Sequence, residues 1–422
     1  MTDAPDGHVA VSDAPHPAGR QEWWRHGYGR FLTAHGLSAL GDRASMIIVP
    51  FCLLAVGVSA GGVAAVLGAR AVGYALMVLY GGTLGDRLDR RHLMIASDLV
   101  RFGTQSALVV LVLSNGQGVA VFLVLQFVYG LAEGLFRPAA SGVIPALVPD
   151  ARLERANGLL SGVVNGGMVL GPVLGGLFVQ AGLAALGLGV DAFTFLLSAL
   201  LLRGLPEMPR TSRPRRRFIA DLVEGWQVIA ARGWLLMLIV TSSLFHLISL
   251  SAVFSLGPAW ADQALGGAQA WGTLVTAFGV GGIVGGFAAI RFAPTRPGVV
   301  CILLLTVLSA QPLFLSSGAP LAVIAFLQLL AGLSLSLYAS TFTTTYQRFT
   351  PDDAVSRVSA FDSLASTALL PLGYLLVGWL ADLMGIAAAM RVVAAVGILV
   401  CLAGLLSKSL RALRHGSAAA SV

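Results

Sequence analysis

The stretch Gly81-Gly82-Thr83-Leu84-Gly85-Asp86-Arg87-Leu88-Asp89-Arg90-Arg91-His92 sets a dense cluster of charge between two long apolar runs, and few folds accept that order. Residues 61–85 before it and 93–114 after it can each cross a bilayer, since about 20 apolar residues rising ~1.5 Å apiece cover ~30 Å of hydrocarbon. The charged segment between them is therefore a tight hairpin at a membrane surface. Its three arginines, Arg87, Arg90 and Arg91, place that surface in the cytoplasm, because short loops rich in Arg and Lys are retained inside.

The same alternation runs through the whole chain. Apolar runs punctuated by turn signals predict twelve spans, at 31–57, 61–85, 93–114, 118–147, 157–181, 184–204, 234–259, 270–292, 298–316, 320–346, 358–383 and 386–407. Only 11% of the 422 residues are charged and 56% are hydrophobic, whereas a soluble domain carries about a quarter charged residues. The chain is read as an all-α, multi-pass membrane protein. With the hairpin inside, the connections at 148–156, 205–233, 293–297 and 347–357 and both termini fall on the cytoplasmic side, where most of the basic residues lie. The net charge of +7 thus sets topology, and no nucleic-acid partner is expected.

The expected layout is a cytoplasmic tail over 1–30, a six-helix bundle over 31–204, a cytoplasmic linker over 205–233, a second bundle over 234–407 and a tail over 408–422. Residues 1–24 lack the basic-then-apolar order of a signal peptide and end on the interfacial pair Trp23-Trp24. The linker holds Arg213-Pro214-Arg215-Arg216-Arg217 and then an amphipathic run from Phe218 to Ile229, suited to lie along the inner leaflet. Cys52, Cys301 and Cys401 fall inside apolar spans without close spacing, so no disulfide framework, metal site or cofactor is expected. No phosphate-binding Gly-x-x-x-x-Gly-Lys-Ser/Thr loop is present, so neither ATP hydrolysis nor other enzyme chemistry is expected of the chain.

The two halves look related. Pro149-Asp150 followed by Arg155 recurs 202 residues later as Pro351-Asp352 followed by Arg357. At the same offset Gly171 meets Gly373 and Gly176 meets Gly378. Such a repeat favours two pseudo-symmetric bundles with a path between them.

The hairpin resembles the signature loop of the major facilitator superfamily, Gly-x-Leu-Ala-Asp-Arg-x-Gly-Arg-Arg in general form. Gly82, Leu84, Asp86, Arg87, Arg90 and Arg91 match it, while Gly85 and Asp89 replace the usual Ala and Gly. Gly167 to Gly176, with Gly171, Pro172 and Gly175 between, is similar to the family's antiporter motif in the fifth helix. Phe136-Arg137-Pro138-Ala139-Ala140, continuing through Pro145 to Asn157-Gly158, resembles the branch of macrolide and siderophore exporters. The resemblance implies two six-helix bundles around a cavity open alternately to each side. It also implies export of a lipophilic or amphipathic small molecule in exchange for protons, by a monomer in the cytoplasmic membrane of a bacterium. A gradient-driven nutrient importer and a transport-inactive sensor or assembly partner are the alternatives. One departure stands out: the family's drug–proton antiporters often carry an arginine four residues before a fourth-helix glycine, and before Gly130 that place holds Gln126.

Ionisable groups inside spans are pointers to substrate or proton sites. Asp42, deep in the first span, reads as a lone carboxylate that is costly when charged; it ranks first as a proton carrier and Glu133 second, and each can equally be a structural partner in its bundle. Glu133 and Arg137, four apart, can neutralise each other, and Asp98 and Arg101, three apart, read as a structural ion pair. Asp191, near the start of span six, reads as a helix cap, and His246 in span seven as a satisfied polar residue that is a weaker coupling candidate. The glycines at 167, 171, 175 and 176 share a helix face and permit close helix contact, with Pro172 loosening the span.

In the family, the acid of the hairpin faces the start of helix eleven, near Val358 to Phe361 here, so Gly82, Asp86, Arg87 and Arg90 are read as a cytoplasmic gate. A carboxylate facing the positive end of a helix is worth about 0.3–1 kcal/mol when exposed and up to ~2 when partly buried. Asp86→Asn is expected to leave the protein in the membrane and slow transport strongly. Normal flux through that variant would remove the gate.

Overall fold

The computed structural model describes residues 24–85, 89–114, 118–149, 152–206 and 218–414; at a minority of helical positions, residues 79–85, Arg137 and Arg357 among them, it describes the backbone alone. Twelve long helices succeed one another in it: α1 (Gly29–Ala55), α2 (Ala60–Gly85), α3 (Arg90–Leu113), α4 (Val119–Ser141), α5 (Leu153–Gln180), α6 (Ala184–Arg203), α7 (Gly233–Leu265), α8 (Ala268–Ala289), α9 (Pro297–Leu315), α10 (Leu321–Phe349), α11 (Asp352–Met384) and α12 (Ile386–Gly404). Among the described residues eleven are long and apolar enough to cross a membrane; α5, a helix of 28 residues, has a shorter described apolar stretch at Leu170–Gln180. No strand occurs among the described residues. Only helices satisfy every backbone polar group within a single crossing segment. The expected spans agree with these bounds to within a few residues, except at α4, α7 and α11. Helices α7 and α11 run further at one end, to Leu265 and back to Asp352, and α4 stops at Ser141, with Ile144–Leu147 a separate turn of helix. Residues 1–23 and 207–217, the hairpin residues Asp86 and Arg87, and the tail from residue 415 lie outside the described residues.

Close helix contacts in both halves are made by glycine. A Cβ at Gly73, Gly130 or Gly134 would overlap the facing backbone of α2 or α4, and one at Gly281, Gly285 or Gly332 would do the same between α8 and α10. Small residues let helix backbones approach where lipid offers no hydrophobic drive to associate. The repeat seen in the sequence is physical. Gly171 of α5 packs on Arg43 and Ala44 of α1, and Gly373 of α11 packs on Leu247 and Ser251 of α7. Gly176 faces Gly272 of α8 with 3.0 Å between a Cβ built there and its Cα; Gly378 faces Ala64 of α2, also at 3.0 Å from Cβ to Cβ.

The last two contacts cross between the halves, and both lie on the side opposite the chain termini, here termed the far side. There a single apolar core takes residues from both halves, among them Phe51, Val66, Leu256, Trp271 and Val377. On the terminal side each half keeps its own core, one around Tyr28, Phe31 and Phe136 and the other around Leu235, Leu305 and Phe342. Helices α5 and α8 meet at Gly176 and Gly272, whereas Gly158 and Gly162 of α5 and Gly286 of α8, towards the terminal side, have no atom of another segment within 4 Å. Among the described residues the halves meet on the far side, and no contact between them is seen at these glycines on the terminal side.

Gly130→Ala places a methyl group against the carbonyl of Arg70, and such overpacking costs about 1–3 kcal/mol. The variant is expected to melt at lower temperature in detergent than the parent. Gly103→Ala, where nothing lies within 4 Å, is expected to melt with the parent.

Candidate functional site

Asp42 lies in the middle of α1, thirteen residues from either end of Gly29–Ala55, and it is not a lone carboxylate. Its Oδ2 accepts from Arg101 Nη1 of α3 at 2.9 Å, and its Oδ1 lies 3.5 Å from Arg70 Nη2 of α2. The Tyr129 hydroxyl of α4 donates to the same Oδ1. The expectation of a solitary acid fails because the groups that neutralise it stand on other helices, far away in the chain. That separation leaves no periodic signal.

Arg101 is 1% exposed. Its Nη2 donates to Asp98 Oδ1 at 2.5 Å, so the ion pair read from the i,i+3 spacing is present, but it is joined to Asp42 through the same guanidinium. The guanidinium lies over the rings of Phe195 and Phe136, 4.3 and 4.8 Å from their centroids. Asp98 also accepts from the Ser198 hydroxyl of α6 at 2.6 Å. Burial of charge is tolerable only where it is paired and hydrogen-bonded; of this guanidinium, Nε has no hydrogen-bond partner among the described residues.

Glu133 pairs with Arg70, Nε to Oε2 at 3.0 Å, where the sequence suggested Arg137. The side chain of Arg137 lies outside the described residues. The Arg70 pairing follows from packing: Gly130 seats on the backbone of Arg70, which brings Glu133, one turn further along α4, alongside that guanidinium. Arg70 also lies 4.3 Å from the ring centroid of Tyr129. Asp191 is no cap either. It sits inside α6, behind Leu183 at the N-cap, and accepts from Gln105 Nε2 of α3 at 2.5 Å, while its Oδ1 has no hydrogen-bond partner. Gln126, in the place of the family's arginine, is fully buried with neither amide atom hydrogen-bonded. Guanidinium groups reach this level from α2 and α3 instead.

The remaining expected residues separate from this cluster. His246 starts a π-helical segment of α7, with Nδ1 2.8 Å from the Ser242 carbonyl, a satisfied polar residue of the second half. Of the hairpin, Arg90 is described: it donates to the Gly142 carbonyl at 2.7 Å, just past the end of α4 where a cation is favoured. Asp89, the departure from the family pattern, is the N-cap of α3 and accepts from Arg91 N at 2.8 Å. Gly171 and Gly175 hold α5 on α1, Gly167 is buried opposite Ala39, and α5 runs on through Pro172.

Two cavities adjoin the cluster, and a third lies beside the second of them. One of about 60 Å³ is lined by Asp42, Arg43, Arg70, Arg101 and Glu133. A larger one of about 190 Å³ shares Arg43, Arg70 and Glu133 and is walled on the other side by Phe254 of α7 and by Leu370 and Tyr374 of α11. A third, about 70 Å³, shares Phe254 and is almost wholly apolar, with Pro172, Trp271 and Phe278 around the hydrogen-bonded pair Gln311 and Gln328. The charged wall belongs to the first half and the apolar wall to the second.

Two pseudo-symmetric helix bundles meeting around a midplane cavity define a membrane transporter. The chain belongs to the Major Facilitator Superfamily, whose model matches residues 31–368. It is 27% identical over 401 residues to the multidrug efflux pump Tap of Mycobacterium tuberculosis, covering 91% of this chain and 93% of that protein. It is 28% identical over 232 residues to the enterobactin exporter EntS of Escherichia coli, 54% of each chain. Among solved structures it is similar to the nucleoside transporter NupG, with TM-score 0.70 at 9% identity over 90% of this chain and 98% of that one. A bacterial homologue of the lysosomal transporter Spinster, inward-facing and unoccupied, gives 0.67 at 15% identity over 96% and 100%. These last likenesses show the fold alone.

Removing one partner of a buried ion pair costs about 3–5 kcal/mol, because a charge is left uncompensated. Arg101→Leu is expected to lower the melting temperature in detergent far more than Arg101→Leu combined with Asp98→Leu. Equal melting of the two variants would show that the pair contributes no coupling.

Proposed function

We propose that the chain exports an amphipathic, largely lipophilic small molecule across the cytoplasmic membrane of a bacterium, in exchange for protons, by alternating access. The observation that carries the coupling is a charge count. Asp42, Asp98 and Glu133 surround two guanidiniums, Arg70 and Arg101, within one connected cluster. Among the described side chains, adding Arg43, which lines the same cavity, and Asp191 leaves the excess at one carboxylate. The low-dielectric interior disfavours a net charge, so the cluster is neutral with one proton bound. A site that is neutral with one proton, facing a cavity shared by both halves, is suited to exchange that proton against substrate. Such protons belong to the cluster and are not confined to a single residue.

The walls support the substrate class. A ligand in the larger cavity meets Arg70 and Glu133 on one side and Phe254, Leu370 and Tyr374 on the other, a surface for a molecule with one polar edge and a broad apolar face. The names of Tap and EntS, an efflux pump and an exporter, support the direction. The arginines of the hairpin and linker support cytoplasmic termini, and with them halves that meet on the side away from the cytoplasm. In this reading Asp42 and Glu133 are the coupling pair, with Arg137 and His246 secondary, and the protein works as a monomer.

Asp42→Asn is expected to abolish uphill transport and its proton signal while sparing downhill exchange, because the amide imitates the protonated acid. The measurement is substrate-induced alkalinisation in energised inverted vesicles, with ethidium and tetraphenylphosphonium as first probes. A full proton signal from Asp42→Asn alongside its loss in Glu133→Gln would move the carrier to Glu133. Uptake by the parent protein that is indifferent to the proton gradient would overturn the coupling itself.

A further inference from the structure

The end of α11 reads Gly378-Trp379-Leu380-Ala381-Asp382-Leu383-Met384-Gly385, a Gly-x-Leu-Ala-Asp-x-x-Gly spacing. The stretch that ends α2 has the same opening in Gly82-x-Leu84-Gly85-Asp86. The first of these finishes a helix on the far side of the molecule and the second finishes one on the terminal side. The pattern therefore occurs twice, once at each face, on the helix pair α2 and α11 that meets across the two halves.

On the far side its geometry is visible. Gly378 lies against α2, where a Cβ would come 3.0 Å from Ala64 Cβ and 3.5 Å from Gly61 Cα. One turn further, the Asp382 carboxylate takes the space beside Gly61; a Cβ there would overlap Oδ2 and lie 2.7 Å from Oδ1. Because Cα–Cβ bonds tilt towards a helix N-terminus, an atom in that place stands at the N-terminal rim of α2, which begins at Ala60. The first-turn amides there have no intrahelical acceptors, and Ser59 Oγ takes only that of Gly62, at 3.1 Å. Val377 and Ala381, flanking the contact on α11, are buried in the core common to both halves.

We propose that Asp382, seated on Gly61 through this second copy of the pattern, is the far-side latch of the transport cycle. The contact joins the two halves, so it exists only while the far side is closed. An interaction made in one state and lost in the other shifts the equilibrium by its full worth. A carboxylate at a helix N-terminus is favoured modestly at an exposed site, enough to bias an equilibrium without locking it. A side chain at position 61 would displace the carboxylate from this seat. The latch is independent of substrate, coupling ion and direction, so it stands or falls apart from the export reading.

The test is the distance between spin labels at Ser114→Cys and Ser317→Cys, exposed turn residues of opposite halves on the far side, in the full chain in lipid nanodiscs. The native cysteines are buried. Asp382→Asn is expected to raise the ratio of far-side-open to far-side-closed molecules about two- to five-fold. Gly61→Leu, which fills the seat sterically, is expected to raise it further. Asp262→Asn, the loss of another exposed acid on that side, is expected to leave the distances unchanged. An unaltered distribution in Asp382→Asn, or an equal shift from Asp262→Asn, would overturn the latch.

Discussion

Two guanidiniums and three carboxylates packed into the interior of one helix bundle are the constraint on which the first half of this protein depends. Such groups are tolerable in a membrane only if each finds its partners, and here the partners come from four helices: Asp42 from α1, Arg70 from α2, Asp98 and Arg101 from α3, and Glu133 with Tyr129 from α4. Helix α6 closes the cluster with Ser198 and the ring of Phe195. The bundle must hold these helices at fixed depths. The glycines between α2 and α4 do so, because backbones in contact leave little freedom to slide.

The second half solves the same packing problem without a comparable ion-pair cluster among its described residues, although Asp362 of α11 buries an Oδ1 that has no hydrogen-bond partner. Its polar side chains are mostly hydroxyls turned back on their own helices, as with Thr241 to Met237 O, Ser251 to Leu247 O and Thr345 to Thr341 O. Others reach across helices: Ser336 donates to the Gly282 carbonyl and Trp260 Nε1 to that of Leu315, both at 2.8 Å, and Gln311 and Gln328 are joined at 2.8 Å beside an apolar cavity. A hydroxyl bonded to the carbonyl one turn back is satisfied locally and asks nothing of neighbouring helices. The wall that this half presents to the cavity is accordingly apolar. The two walls differ in chemistry although their frameworks match.

How far this was legible in the sequence depends on the range of each interaction. The spans were legible, because a membrane crossing is written in a continuous run of apolar residues. The Asp98 and Arg101 pair was legible from its spacing on one helix turn. The partners of Asp42 and Glu133 were not, because Arg70 meets them only through the approach of α2 to α4 at Gly130. The side chain of Arg137, the partner that local reasoning offered Glu133 from its own helix, lies outside the described residues. Asp191 was misread for a related reason: its partner Gln105 stands on α3, and proximity to a helix start suggested a cap. The clue available in the sequence was Gly130 itself, a glycine in mid-span three residues before an acid, which marks a place where another helix comes close.

The internal repeat bears on what the halves share. The positions that correspond at an offset of 202, Gly171 with Gly373 and Gly176 with Gly378, are contacts of helix on helix, and each pair meets the equivalent partner. The groups that carry charge or line the cavities do not correspond in this way: 202 residues after Glu133 stands Leu335, and after Asp42 stands Leu244. The halves thus share the surfaces along which their helices pack and not the chemistry they enclose. That division has a physical basis. A rocking motion between two bundles needs matched, closely packing faces on both, since a clash in either would block one of the two states. In the proposed exchange, coupling needs only one bundle to hold the ionisable cluster, and a second charged cluster would add desolvation cost and remove the apolar wall proposed to receive a lipophilic ligand.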